Sequence, residues 1–121
     1  MVKIVVKKKG GRTAILISFD TDSSKFRSRS ERNRFFSKLH GRRQIIKREK
    51  RRYVYHRSGI LDEVPHIKVD NSVFIVAMEH LRRMEEFFNK WEDKVMFKTF
   101  PVLLNERQVK KLEKAREVET E

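Results

Sequence analysis

Three observations in this 121-residue chain predict an α+β fold. Ala14-Ile15-Leu16-Ile17 is apolar without a break, as a central strand covered on both faces requires. Ala77, Leu81, Met84, Phe88 and Trp91 recur at steps of four and three, the period of one buried helix face. With hairpins set aside, the whole chain then runs strand, helix, strand, helix, strand. That order folds most simply as a ferredoxin-like antiparallel sheet with two helices on one face. An extra N-terminal hairpin, an inserted basic hairpin over 42–58 and a C-terminal helix over 105–121 complete a single domain, 1–121.

Val2–Val6 and Thr13–Phe19 are β-rich and flank Lys7–Arg12, where Gly10-Gly11 can take the positive φ of a tight turn. Residues 1–19 therefore read as a hairpin whose second arm is the central strand. Ser28 and Glu31 have capping-box spacing, so a helix starts there. Phe35, Phe36 and Leu39 form its apolar stripe, Arg27, Arg34 and Lys38 lie elsewhere on it, and Gly41 closes it. Gln44–Ile46 and Tyr53–Tyr55 are β-prone and bracket Arg48–Arg51, a second hairpin with no glycine at its turn. Ser58–Pro65 reads as irregular and His66–Val76 as one strand-like stretch. On the following helix Glu79 with Arg83, and Arg82 with Glu86, are spaced for ion pairs. Lys94–Leu104 contains Pro101 and is expected as an edge strand or two short pieces. Asn105 and Gln108 cap a last helix that offers only Val109, Leu112 and Ala115 to the core.

The charge is local. Residues 25–57 carry fourteen Lys/Arg against two Glu, +12 of the chain's net +13. Residues 58–121 hold eleven Lys/Arg against thirteen Asp/Glu. Charge this concentrated is a footprint for a polyanion, nucleic acid above all. Along the second arm of the basic hairpin, Arg51, Tyr53, Tyr55 and Arg57 share one face, while Arg52, Val54 and His56 share the other. Arginine and lysine neutralise phosphates, and a tyrosine ring can stack on an unpaired base. The candidate contacts are Arg34, Lys38, Arg42, Arg43, Lys47, Arg48, Lys50, Arg51, Arg52 and Arg57, with Tyr53 and Tyr55 as stacking or packing residues. Double-stranded DNA is the favoured ligand. Phosphate contacts are common to DNA and RNA, so a ribosomal or ribonucleoprotein role on structured RNA is an alternative.

Asp20 and Asp22 follow the central strand, where carboxylates can hold a hard cation. A magnesium or manganese ion there makes a metal-dependent nuclease the enzymatic alternative, although Asp/Ser/Thr clusters also form ordinary loops. His66, Lys68 and Asp70 alternate along one stretch with Asp62 and Glu63 upstream, but no second histidine stands at zinc-site spacing. The Met84, Phe88 and Trp91 stripe is core. Gly-rich phosphate loops and Gly-x-Ser-x-Gly elbows are absent, so neither a cofactor nor a small-molecule ligand is expected outside the nuclease reading. There is no cysteine, which excludes disulfides and thiolate zinc sites and fits an intracellular, cytoplasmic protein. The longest apolar runs are too short to span a bilayer, so no membrane association is expected. With 39% charged residues the composition leans toward that of thermophile proteins.

Ile15-Leu16-Ile17-Ser18-Phe19-Asp20, the helix end Leu39-His40-Gly41-Arg42-Arg43-Gln44 and Ser72-Val73-Phe74 together resemble the CRISPR-associated protein 2 family, the adaptation-complex subunit. The resemblance implies a ferredoxin-like fold, a homodimer and binding to duplex DNA beside an integrase. It also implies, for some members, a metal-dependent nuclease using an aspartate after the first strand, a position matched here by Asp20. In that family the Gln and the Ser-Val-Phe stand almost together. Here Ile45–Asn71 intervene and bring much of the positive charge.

Overall fold

The structure, a computed structural model, describes the backbone of residues 12–119 and the side chains of residues 12–114. The first arm of the N-terminal hairpin, Val2–Val6, lies outside the described residues. Its expected second arm is strand β1 (Arg12–Thr21), the axis of the sheet. Ile15, Ile17 and Phe19 point to one face and Ala14 and Leu16 to the other, so the unbroken apolar run serves two cores at once.

The element order is β1, α1 (Arg29–His40), β2 (Arg42–Arg48), β3 (Arg51–Arg57), α2 (Ile60–Glu63), β4 (His66–Asp70), β5 (Val73–Ala77), α3 (Leu81–Asn89), β6 (Val95–Leu104) and α4 (Glu106–Glu119). The main sheet runs β4-β5-β1-β6 with every neighbouring pair antiparallel. With β2, β3 and α2 taken as an insertion, this is the ferredoxin-like β-α-β-β-α-β arrangement. Strands β2 and β3 form a separate two-stranded sheet.

Helices α1 and α3 cover the Ile15 face. Phe35 and Leu39 from α1, and Met84 and Phe88 from α3, are fully buried there with Phe19, Phe74 and Val76. Rings dominate this core: Phe88 stacks on Phe97 at 5.0 Å, and Phe35 meets the Trp91 edge at 5.3 Å. Offset and edge-on pairs of this kind add about 0.5–1.5 kcal/mol each beyond burial. The Met84–Phe88–Trp91 stripe is accordingly core. Helix α4 covers the opposite face, where Leu112 is buried against Ala14, Ile75, Ala77 and Leu104. Asn105 and Gln108 cap it reciprocally, each backbone N–H donating to the other's side-chain oxygen at 2.9 Å.

Several expectations are corrected. His66–Val76 is two strands, because Asn71-Ser72 form a turn after Asp70, whose Oδ1 accepts from the Asn71 N–H at 2.8 Å. Within Ser58–Pro65, expected to be irregular, Ile60–Glu63 forms the single-turn helix α2. Of the two alternatives for Lys94–Leu104 the edge strand holds: Val95–Leu104 is one unbroken ten-residue strand, outermost among the described residues, with Pro101 opposite Ile15. A proline fits there because an edge strand does not need every N–H in the ladder. Arg27 precedes α1 rather than lying on it. Arg82–Glu86 pair as expected at 3.5 Å, but Arg83 turns to Glu63, because residues 78–80 form a 3-10 turn and Glu79 is off the α-helical register.

Ser28 caps α1 by accepting from the Glu31 N–H at 3.2 Å, and Glu31 accepts from the Arg27 N–H at 3.1 Å. Glu31 also meets Lys94 Nζ at 2.7 Å, tying the start of α1 to the loop before β6. The Lys94 ammonium first, then the Arg27 N–H, hold the Glu31 carboxyl below its ordinary range. The Ser24 hydroxyl and N–H do the same for Asp22. The unfolded chain therefore takes up more protons in acid than the folded one. This stability is fully present above about pH 5 and is lost as pH falls through the folded carboxyls' range. The melting temperature should decline on acidification below about pH 5, and Glu31→Gln should make that decline shallower. A wild-type melting temperature that is flat over this range contradicts the assignment.

The insertion leaves and rejoins the frame through two glycines. Gly41 ends α1 at φ +82°, its N–H donating to Ser37 O at 2.8 Å. A Cβ on Gly59 would lie 2.2 Å from Gly41 N and 2.6 Å from Leu39 O, all backbone that cannot step aside. Gly59→Ala should destabilise the protein by about 2–3 kcal/mol in urea denaturation. A loss under about 0.5 kcal/mol would show that the two backbones are not in contact.

Candidate nucleic-acid interface

The basic stretch folds into two walls. On α1, Ser30, Asn33, Arg34, Ser37 and Lys38 recur at helical spacing on the side away from Phe35 and Leu39. Facing them at the root of the hairpin are Arg42, Arg57 and Ser58, and together these residues enclose a cleft of about 630 Å³. Four cations, three hydroxyls and an amide line it, with no carboxylate. That set donates hydrogen bonds and carries positive charge, which is what a phosphate needs. Gln44 Oε1 accepts from Arg57 Nε at 2.9 Å, and Arg57 also lies 6.0 Å over the Tyr55 ring, so this arginine is held in place from both sides.

The hairpin stands out from the fold beyond the cleft. Its register pairs Arg42 with Arg57, Gln44 with Tyr55, Ile46 with Tyr53 and Arg48 with Arg51 on one face. The other face pairs Arg43 with His56, Ile45 with Val54 and Lys47 with Arg52. Every residue of β3 is exposed, with Val54 49% and Tyr55 46% accessible. The candidate contacts thus divide four ways. Arg34, Lys38, Arg42 and Arg57 converge on the cleft; Arg48, Arg51, Tyr53 and Tyr55 continue the same face outward; Arg43, Lys47 and Arg52 point the opposite way, with Lys50 in the tip turn. The sequence reading missed Ser30, Asn33, Ser37 and Ser58. The i, i+3, i+7 recurrence of small polar residues on α1, Ser30, Asn33 and Ser37, was the available signal for the first three.

None of these cations is in an ion pair among the described residues, while Arg12, Arg27, Arg82, Arg83, Lys94 and Lys110 are. Of the nearby acids, Glu49 sits in the hairpin tip and the other three are engaged elsewhere. Glu31 holds Lys94, Glu63 holds Arg83, and Asp62 Oδ2 accepts from the Gly59 N–H at 2.8 Å and meets His56 Nε2 at 3.2 Å. Asp62, at the start of α2, thus ties β3 to the frame through His56 rather than joining His66. His66 turns its Nδ1 toward Val64 O at 2.9 Å. Burial, with Lys68 and His66 nearby, lowers the His40 pKa and keeps that ring neutral at pH 7.

Asp20 is exposed, opposite Met96, at a shallow cleft of about 400 Å³ that it shares with Asp22, Glu92, Asp93, Lys25 and Lys94. Asp22 caps the turn at Ser23–Lys25, accepting from the Ser24 N–H at 3.0 Å and the Ser24 hydroxyl at 2.6 Å. Among the described residues no three His, Asp or Glu side chains converge as a metal-holding group. No helix among them is long and apolar enough to cross a membrane. Comparison with protein-family models, curated proteins and solved structures finds no match to this chain.

The hairpin turn carries one local strain. Glu49 sits at φ +57°, the first central position of a two-residue turn where glycine is the usual occupant. A side chain there costs roughly 1–2 kcal/mol, offset in part by the entropy a glycine would lose. Glu49→Gly should slow amide exchange in β2 and β3 by about two- to fivefold, equivalent to roughly 0.5–1 kcal/mol. Unchanged exchange would show that the turn does not hold this conformation.

Proposed function

We propose that this protein binds nucleic acid, with duplex DNA as its ligand, through the face formed by α1 and the β2–β3 hairpin. The observation that carries the reading is the convergence of four cations, Arg34, Lys38, Arg42 and Arg57, none of them in an ion pair among the described residues, on a cleft lined by no carboxylate. Like charges placed opposite each other on adjacent strands are destabilising, and Arg42/Arg57, Lys47/Arg52 and Arg48/Arg51 are three such pairs. A polyanion supplies the missing countercharge. The resemblance to CRISPR-associated protein 2 points to duplex DNA as well. Cleft residues take backbone phosphates, and the outer hairpin cations extend the contact along the strand.

The test is a salt series. If Arg34, Lys38, Arg42, Arg57, Arg48 and Arg51 each neutralise a phosphate, the logarithm of the binding constant should fall against log salt with a slope of about −5. Single alanine substitutions at Arg34, Lys38 or Arg42 should each make that slope shallower by about one, weakening binding alike on all sequences. Affinity that hardly changes with salt would rule out phosphate neutralisation as the mechanism.

A further inference from the structure

We infer that the β2–β3 hairpin is a groove-reading ribbon, lying across the major groove of B-form DNA with Gln44, Ile46, Tyr53 and Tyr55 toward the base edges. This rests on the nucleic-acid reading above and adds which duplex form is taken and by which face. The first support is shape. Paired strands lie about 4.8 Å apart, and the B-form major groove, about 12 Å wide and 8.5 Å deep, admits a two-stranded ribbon. The hairpin is a sheet of two strands, hydrogen-bonded to no other strand among the described residues, with β3 exposed along its whole length and Gln44 and Ile46 of β2 half-buried.

The second support is the order of groups along one face. Cations occupy its two ends, Arg42 with Arg57 and Arg48 with Arg51, while Gln44, Tyr55, Ile46 and Tyr53 form a neutral middle. Residues 42 and 48 are about 20 Å apart at roughly 3.3 Å per residue. Cations so spaced reach the phosphates on both walls while the neutral middle spans the groove between them. The opposite face has the apolar pair Ile45 and Val54 in its middle, flanked directly by Arg43 with His56 and Lys47 with Arg52, so it lacks a neutral polar stretch between its cations.

The third support is that the middle is unspent. Gln44 uses its oxygen on Arg57, but its amide NH₂ has no partner among the described residues, and neither do the Tyr53 and Tyr55 hydroxyls. Amide and hydroxyl groups suit base edges, and an aliphatic side chain suits the thymine methyl. Arg42 and Arg57 belong both to this face and to the cleft, so the same docking brings one phosphate wall against α1. An A-form duplex has a deep, narrow major groove that the ribbon cannot enter.

The experiment compares the full chain on DNA and RNA duplexes of one sequence, about two helical turns long, at a single salt concentration. It adds guanine N7 methylation, which blocks the major groove, and a polyamide that fills the minor groove. The expected result is DNA bound at least tenfold tighter than duplex RNA, binding weakened by methylation, and no displacement by the polyamide. Equal affinity for the two duplexes, or displacement by the polyamide with no effect of methylation, overturns the ribbon inference and leaves nucleic-acid binding standing. No binding to any duplex at low salt overturns both.

Discussion

The contact between Gly41 and Gly59 is the constraint on which the rest of the arrangement depends. A seventeen-residue excursion, 42–58, leaves the frame at the end of α1 and returns at the start of α2. It does so without displacing β4 from its place beyond β5, because entry and exit share one point at which neither residue has a side chain. Positive φ at Gly41 turns the chain out, and the absence of a Cβ at Gly59 lets it come back within van der Waals contact of the helix end. Asp62 then fixes the return by holding the Gly59 N–H with the same oxygen that meets His56. Moving either backbone outward would open the cleft, since Arg42 and Arg57 follow and precede these two glycines by one and two residues.

The frame and the ribbon obey opposite energetics. The frame is held by a ring-rich core whose phenylalanines each stabilise by roughly 1.5–3 kcal/mol through burial, and its charges are paired across elements, as with Glu31–Lys94 and Glu63–Arg83. The ribbon buries no residue fully, with only Gln44 and Ile46 half-covered, places cations opposite cations and sets a glutamate where the turn wants glycine. A lone two-stranded hairpin is marginal in water even without such repulsion. What steadies it is local: the tether to Asp62, the Gln44–Arg57 bond and the apolar pair Ile45–Val54.

Legibility in the sequence followed the range of the interaction. Caps, alternation and helical period act within a few residues, so the Ser28 cap, the Asn105–Gln108 box, the two-faced β1 and the two faces of β3 could all be read directly. The break at Asn71-Ser72 was hidden because β-prone residues continue on both sides of it, and only the Asp70 side chain marks the turn. Arg83 could be assigned to Glu79 on spacing alone, whereas its partner Glu63 comes from a different element. The cleft was half legible: its cations stood out by charge, but Ser30, Asn33 and Ser37 matter only because the hairpin root folds back over that side of α1. The Gly41–Gly59 contact left no local pattern at all, since neither glycine reveals that it meets the other.

Segregation explains how one small chain tolerates a net charge of +13. Spread over the whole surface, that charge would act against the compact state everywhere. Concentrated on one helix side and a protruding hairpin, it acts mainly on an element that contributes little to the core, and the frame keeps near-neutral balance and its own ion pairs. The cost falls on the ribbon, whose like-charged cross-strand pairs repel one another. Stability and charge are thus placed on different parts of the chain, and the two glycines at the neck make that separation possible.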